Sequence, residues 1–187
     1  MKRFYTIAAA LTMLAAAASA AENNLLKNPA FKKLNPKSSN EFTWWVTRDT
    51  AKCVRIAGGK DGDTVKIVTS DRPEGAKDYN ANYGNISQYL PMPGSGKYRV
   101  SIMMKCGRTL ENVRIFYGMI GKGKKAKFRV ARDFPALDQP SPEEWEEIST
   151  ELDLDGTGYE RLAIGFGFMD PKAAEVLFKA PKLVRIK

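Results

Sequence analysis

Alternation of apolar and other residues between Gly84 and Cys106 is the feature that most constrains how this chain can fold. One face of the first half carries Ile86, Gln88, Leu90 and Met92, and one face of the second half carries Tyr98, Val100, Ile102, Met104 and Cys106. A period of two over this length predicts two β-strands, each with one buried face. The prolines and glycines between Pro91 and Gly96 interrupt the alternation where the chain must turn. We therefore expect a hairpin that places one face in the core.

The same alternation recurs along most of the remaining chain. It is clearest in Thr64–Thr69, Asn112–Ile120, Tyr159–Met169 and Glu175–Ile186, and residues 127–134 are interpreted as a returning strand. About nine short strands, separated by loops rich in Gly, Pro and Asn, are typical of an all-β sandwich with two antiparallel sheets.

The first 20 residues predict an export signal that is removed from the mature protein. Lys2 and Arg3 precede the apolar run Ile7–Ala18, and Ala18-Ser19-Ala20 matches a signal-peptidase site. We therefore expect a secreted or periplasmic protein, without a membrane anchor, that consists of one domain over residues 21–187.

The chain is basic, with a formal net charge of +9. Such a charge favours anionic partners, and export makes nucleic acid the least natural of them. An acidic glycan fits both conditions. The alternative is an ordinary solvated surface with surplus lysine.

Export would permit a disulfide between Cys53 and Cys106. Cys106 lies in the same phase as the apolar residues of its strand. Cys53 lies in the opposite phase to Val54 and Ile56, so its side chain is expected to face the other side of the sheet from theirs. The phase argues against a bridge, but a β-bulge would reverse it, so the sequence leaves the question open.

The absence of histidine removes imidazole general bases, histidine triads and histidine metal sites. Carboxylate pairs of the kind used in glycoside hydrolysis remain, and the candidates are Glu143, Glu144, Glu146, Glu147, Asp153 and Asp155. A run of charges is usually a solvated surface. We therefore expect no catalytic residues and no enzymatic activity.

Five segments, taken in order, are spread along nearly the whole of residues 21–187. They are NLLKNPAF, WWV, ISQYLPMPGSGKYRVSIMMK, EWEEISTELDL and EVLFKAPKLVRIK. This order resembles the jelly-roll carbohydrate-binding modules attached to bacterial xylanases and cellulases. The resemblance implies a galactose-binding-like β-sandwich that binds sugar on the outer face of a concave sheet.

Two departures from this family concern its structural calcium site. Lys32 stands where the family has a glutamate, and Phe178–Pro181 lacks the aspartate of the closing strand. Calcium requires several oxygen ligands. We therefore expect neither a metal site nor another cofactor.

Sugar-binding residues are expected in the outward phase, because flat aromatic rings pack against the C–H faces of sugars and polar groups bind the hydroxyls. The candidates are Trp44, Tyr89, Arg99, Lys105, Arg114 and Phe116. Gly165 and Gly167 share the outward phase of a later strand and would leave room for a ligand. An ordinary polar sheet face is the alternative.

The sequence therefore predicts a secreted, non-catalytic domain that binds a polysaccharide or oligosaccharide. The basic candidates raise the hypothesis of an acidic glycan. The alternative is a secreted structural or protein-interaction β-sandwich that has lost sugar binding. Neither the identity of the glycan nor the oligomeric state follows from the sequence.

Overall fold

Ten β-strands form two antiparallel sheets in the computed structural model, which describes residues 23–33, 45–47, 52–56, 63–71, 74, 83–123, 127–135 and 144–187. They are β1 (Trp45–Thr47), β2 (Lys52–Ile56), β3 (Thr64–Thr69), β4 (Tyr83–Pro91), β5 (Gly96–Cys106), β6 (Asn112–Ile120), β7 (Lys127–Pro135), β8 (Glu146–Leu154), β9 (Arg161–Met169) and β10 (Ala174–Arg185). The first sheet has the order β1-β4-β9-β6-β7, and the second has the order β2-β3-β10-β5-β8. The prediction of an all-β sandwich is confirmed, with one strand more than the nine or so expected.

The core lies between the sheets and is built from the alternating apolar residues. Ile86 and Leu90 of β4 are buried, as are Val100 and Ile102 of β5. Burial of one face of each strand is the main source of free energy that holds the two sheets together.

The expected hairpin between β4 and β5 is wrong. β4 pairs with β1 and β9, whereas β5 pairs with β10 and β8, so the turn between them carries the chain from one sheet to the other. Gly94 and Gly96 have φ angles of 96° and 146°, which L side chains rarely adopt. The Tyr98 hydroxyl donates to the Pro93 carbonyl at 3.1 Å and thereby ties the turn to β5.

The segment before β1 is held against the first sheet by side chains that bind its backbone. The Gln88 amide donates to the Lys27 carbonyl at 2.8 Å and accepts from the Lys27 N–H at 2.7 Å. The Trp45 indole also donates to the Lys27 carbonyl, at 3.1 Å. Leu26 and Phe31 of this segment consequently reach the core.

The two cysteine positions lie in one row across the second sheet. Cys53 pairs with Ile67, Ile67 with Val176, and Val176 with Cys106. The predicted orientation of the Cys53 side chain stays a prediction, because only the backbone of this residue is described. Three strand spacings separate the two backbones by about 14 Å, twice the roughly 7 Å that a disulfide spans. Cys106 is a free thiol that donates to the Arg108 carbonyl at 2.9 Å.

The predicted export signal at residues 1–20 and the candidate Trp44 lie outside the described residues. In the part of the chain that is described, no helix has the length and apolar character required to cross a membrane.

Candidate functional site

The outward face of the first sheet has a floor of small residues along β9. Ala163, Gly165 and Gly167 alternate with the buried core residues of this strand. β9 lies between β4 and β6. Because the floor carries almost no side-chain bulk, larger side chains from the flanking strands can meet above it.

Three rings meet there, and we call them the aromatic cluster: Tyr89 of β4, Phe116 of β6 and Phe128 of β7. The Phe128 ring lies 6.5 Å from Tyr89 and 5.8 Å from Phe116, measured between centroids. The interplanar angles are 79° and 73°, so both contacts are edge-to-face, a favoured arrangement of aromatic pairs. The rings therefore form a faceted surface and not a single flat plane.

The members of the cluster differ in how much surface they expose. Phe116 is buried against Gly165 and supports the cluster from below. Tyr89 is half-buried, whereas Phe128 is 49% exposed and its neighbour on the outward face, Val130, is 47% exposed. These two adjacent side chains form an exposed apolar patch, which makes this face the candidate binding surface.

Two arginines flank the aromatic cluster. The Arg161 guanidinium lies over the Tyr89 ring, with its Cζ 5.2 Å from the centroid. On the other side of Phe116, Arg114 Nε donates to Asp133 Oδ1 at 2.9 Å. The face therefore combines ring surfaces with hydrogen-bond donors, as a sugar site requires.

Only part of the predicted site is brought together. Tyr89, Arg114 and Phe116 share this face, as expected. Arg99 and Lys105 lie on β5, which belongs to the second sheet, so these two candidates are not on the same face as the other three. Their outward phase is on the opposite side of the sandwich, where Arg99 forms an ion pair with Glu147 at 3.3 Å.

Sequence reasoning missed Phe128 and Arg161. Arg161 was visible in the outward phase of its strand, in register with Ile120 at the end of the small-residue floor. Phe128 is harder to place, because β7 contains a register shift that changes the phase of its side chains.

Glu143 lies outside the described residues, and the described carboxylates among those considered for glycoside hydrolysis lie on or beside β8, not on this face. Glu146, Glu147 and Asp153 belong to β8 in the second sheet. Asp155 follows β8 and accepts a hydrogen bond from the Thr157 N–H at 3.0 Å, which with further bonds from Thr157 and Ser95 holds the pKa of its carboxyl below the ordinary value. Within the described ranges, no three Cys, Asp or Glu side chains are grouped in a way that could hold a metal ion.

No protein-family model and no curated protein sequence matches the chain. Solved structures match its fold. The enzymatically active domain of a tailspike protein from bacteriophage CBA120 has a TM-score of 0.58 and 9% identity, over 87% of this chain and 21% of that chain. The chain thus spans about a fifth of the tailspike structure.

Two similar structures correspond to the chain over nearly their whole length. The CBM22-1 xylan-binding domain from Paenibacillus barcinonensis has a TM-score of 0.55 and 11% identity, over 89% of this chain and 96% of that chain. A family 11 carbohydrate-binding module from Clostridium thermocellum has a TM-score of 0.52 and 14% identity, over 87% and 95%. The resemblance to jelly-roll carbohydrate-binding modules is thereby confirmed at the level of the fold.

Proposed function

We propose that this protein is an exported, non-catalytic domain that binds a glycan chain on the outward face of the first sheet. The observation that carries the proposal is the aromatic cluster, whose outermost ring, Phe128, is half exposed above a floor of glycine and alanine. The likeness to a xylan-binding domain and to a module bound to a tetrasaccharide supports the same reading.

The chemistry of the face suits a sugar. An exposed ring offers flat area to the C–H groups of a pyranose and loses little conformational entropy on binding. Asn85, which is half-buried, shares the outward face of β4 with Tyr89 and provides a polar group for hydroxyls. Buried, well-packed strands hold all of these residues, which reduces the entropy lost on binding.

Two observations support a binding role without catalysis. The sequence contains no histidine. The described members of the carboxylate set considered for glycoside hydrolysis lie on or beside β8, in the other sheet. Glycosidases place two carboxyl groups on either side of the bond that they cleave.

The proposal extends to acidic glycans as the preferred class. The formal net charge of the chain is +9, and Arg114 and Arg161 both lie beside the aromatic cluster. Positive charge near a binding face raises the rate of encounter with anionic polymers and adds charge-assisted hydrogen bonds.

Affinity electrophoresis on gels that contain neutral or acidic polysaccharides tests the proposal. We expect the wild-type protein to be retarded by at least one polysaccharide, and Phe128→Ala to abolish the retardation. Ile186→Ala is the matched control, because Ile186 is 38% exposed and follows β10 of the second sheet. Its retardation should equal that of the wild type.

Three results would contradict the proposal. Migration unaffected by every polysaccharide would support the alternative, a structural or protein-interaction domain. Equal loss of retardation in the Phe128 and Ile186 variants would place the binding elsewhere. Release of reducing ends from a retained polysaccharide would contradict the absence of catalysis.

A further inference from the structure

We propose that Arg161 is the residue that selects acidic sugars at this face. Its guanidinium, held over the Tyr89 ring, would bind the carboxylate or sulfate group of a sugar ring stacked on Phe128. This inference rests on the proposed function and assigns its charge selectivity to one side chain.

Arg161 is in position for this role. It begins β9, between Pro91 of β4 and Ile120 of β6. The next outward row contains Tyr89, Ala163, Gly118 and Phe128. Arg161 is exposed, and its Cζ lies 5.2 Å from the Tyr89 centroid. A cation over a ring is attracted to the electron-rich face, which restrains the guanidinium beside the aromatic cluster.

The guanidinium of Arg161 is also available. In the described part of the chain, no ion pair or side-chain hydrogen bond involves it, and the Tyr89 ring is its partner. A planar guanidinium that rests on a ring keeps its donor edge free, and this edge matches the two oxygens of a carboxylate.

Arg114, the other arginine on the outward face of this sheet, is engaged, because its Nε donates to Asp133 Oδ1 at 2.9 Å. Arg129 and Arg132 of β7 pair with Tyr117 and Ile115, so they fall in the opposite phase of the sheet. An anionic ligand would have to break the Arg114 ion pair to use that arginine, whereas it can bind Arg161 without such a cost.

Tyr89 and Phe128 have different roles in this geometry. Arg161 covers one face of Tyr89, and Phe128 meets Tyr89 edge-to-face, with an interplanar angle of 79°. Tyr89 is therefore a positioning residue for the guanidinium. Phe128, which is the most exposed ring of the cluster, provides the stacking surface for the sugar.

The test compares two pairs of polymers, and within each pair the sugar ring is the same while one member is anionic and the other is uncharged. Polygalacturonate and its fully methyl-esterified form share one sugar ring, and dextran sulfate with dextran provides the same comparison for sulfate. Retardation of the wild type and of Arg161→Gln, Arg161→Lys and Arg99→Gln is measured on all four polymers. Arg99→Gln is the matched control, since Arg99 is an exposed arginine on the outward face of the second sheet.

We expect Arg161→Gln to weaken binding of the acidic polymer about tenfold or more, the effect of losing a charge-assisted hydrogen bond. Binding of the uncharged counterpart should change less than twofold. Arg161→Lys should keep part of the preference, because it retains the charge without the planar donor edge. Arg99→Gln should match the wild type. If Arg161→Gln weakens binding of polygalacturonate alone, Arg161 binds a carboxylate; if it weakens binding of dextran sulfate alone, Arg161 binds a sulfate.

Each failure has a distinct meaning. Equal binding of charged and uncharged polymers by the wild type, or equal losses on both in Arg161→Gln, would overturn the selectivity of Arg161 and leave the sugar site standing. A loss of acidic binding in Arg99→Gln alone would move the site to the second sheet. Failure of the wild type to bind any of the four polymers or any other polysaccharide would overturn the proposed function itself. The thermal midpoint of Arg161→Gln is measured beside the retardation and is expected to equal that of the wild type, which excludes unfolding as the cause of a loss.

Discussion

The ring of Phe116 occupies the space that a Cβ atom at Gly165 would need. The two residues face each other across β6 and β9, on the outward side of the first sheet. A glycine in mid-strand normally weakens a sheet, because it loses more conformational entropy on folding and offers no side chain for packing. Here it allows a ring to lie directly on the backbone, and the height of the aromatic cluster above the sheet depends on it.

Gly165→Ala should therefore lower the free energy of unfolding by about 1–3 kcal/mol, the usual cost of overpacking. The displaced ring should also weaken retention on polysaccharide gels. Gly107→Ala is the control, because a Cβ atom there meets nothing within 4 Å, and its effect should stay within about 0.5 kcal/mol. Urea unfolding measures both changes, and equal midpoints for the two variants would contradict the prediction.

Asp170 and Arg108 form a two-bond ion pair that joins the ends of β5 and β9. Arg108 Nη1 and Nη2 each donate to a different Asp170 oxygen at 2.7 Å. The backbone N–H groups of Glu111 and Lys172 donate to the same carboxylate at 3.0 and 2.9 Å. Burial by itself would raise the pKa of Asp170, but the bonds from Arg108, Lys172 and Glu111 and the charge of Arg108 outweigh it and leave that pKa below the ordinary value.

Asp170→Asn should lower the free energy of unfolding at pH 7 by about 2–3 kcal/mol, because it removes a charged partner from a nearly buried network. A lowered pKa in the folded state adds stability that is complete above the unfolded-state pKa, about 3.9 for aspartate. It is lost as the pH falls through the folded-state pKa. The gap between wild type and variant should thus narrow below about pH 4.

Urea unfolding at several pH values between 7 and 3 measures this gap. Asp153→Asn, which removes an exposed carboxylate from β8, controls for the general effect of net charge. A gap that is constant or grows on acidification would contradict the assignment.

Both cysteines should be reduced thiols, because the register of the second sheet holds them too far apart to bridge. Burial raises the pKa of the Cys106 thiol, and the contact and charge of Arg108 only partly oppose this. Cys106 should therefore react slowly with iodoacetamide in the folded protein. After denaturation without a reductant, mass spectrometry should find two carbamidomethyl groups per chain, and one in Cys106→Ser. A monomer two hydrogens lighter that resists alkylation would contradict the register.

Calcium should leave the thermal midpoint unchanged. Lys32 stands at one ligand position of the family's site. Asn24 lies beside the closing strand, because its Nδ2 donates to the Pro181 carbonyl at 2.9 Å. Its Oδ1 already accepts hydrogen bonds from the N–H groups of Leu26 at 3.1 Å and Leu183 at 3.0 Å. A ligand that binds only the folded state raises its stability. A rise in the midpoint with millimolar calcium, reversed by a chelator, would show that the site exists.

The inward phase of most strands could be predicted from the sequence, because alternation is a local property. Ile86 and Leu90 of β4 and Val113 and Ile115 of β6 are buried as expected. The sheet to which a strand belongs is not local, since it depends on partners far along the chain. β4 and β5 are adjacent in sequence, yet they lie in different sheets. Arg99 and Lys105 were therefore assigned to the wrong side of the sandwich.

The candidate site was predicted in part, and the bulge in β7 explains one omission. Phe128 and Phe134 are six residues apart and would share a face in a regular strand. The register shift beside Ala131 separates them, so Phe134 is 5% exposed and Phe128 is 49% exposed. An extra residue in one strand interrupts the alternation in the same way as a loop does, so the sequence alone does not reveal a bulge. Tyr89 and Phe116 were found because no bulge precedes them in the described pairing with β9.

The same bulge makes Phe128, the ring proposed to contact the sugar, replaceable. β7 is the terminal strand of the first sheet, and its bulge turns Phe128 away from the core. Arg161 is on the central strand, in register with two neighbours. A substituted side chain at position 128 would thus contact solvent and ligand more than it would contact the rest of the protein. Variant libraries intended to change which sugar rings the protein binds should begin at position 128 and leave Arg161 unchanged.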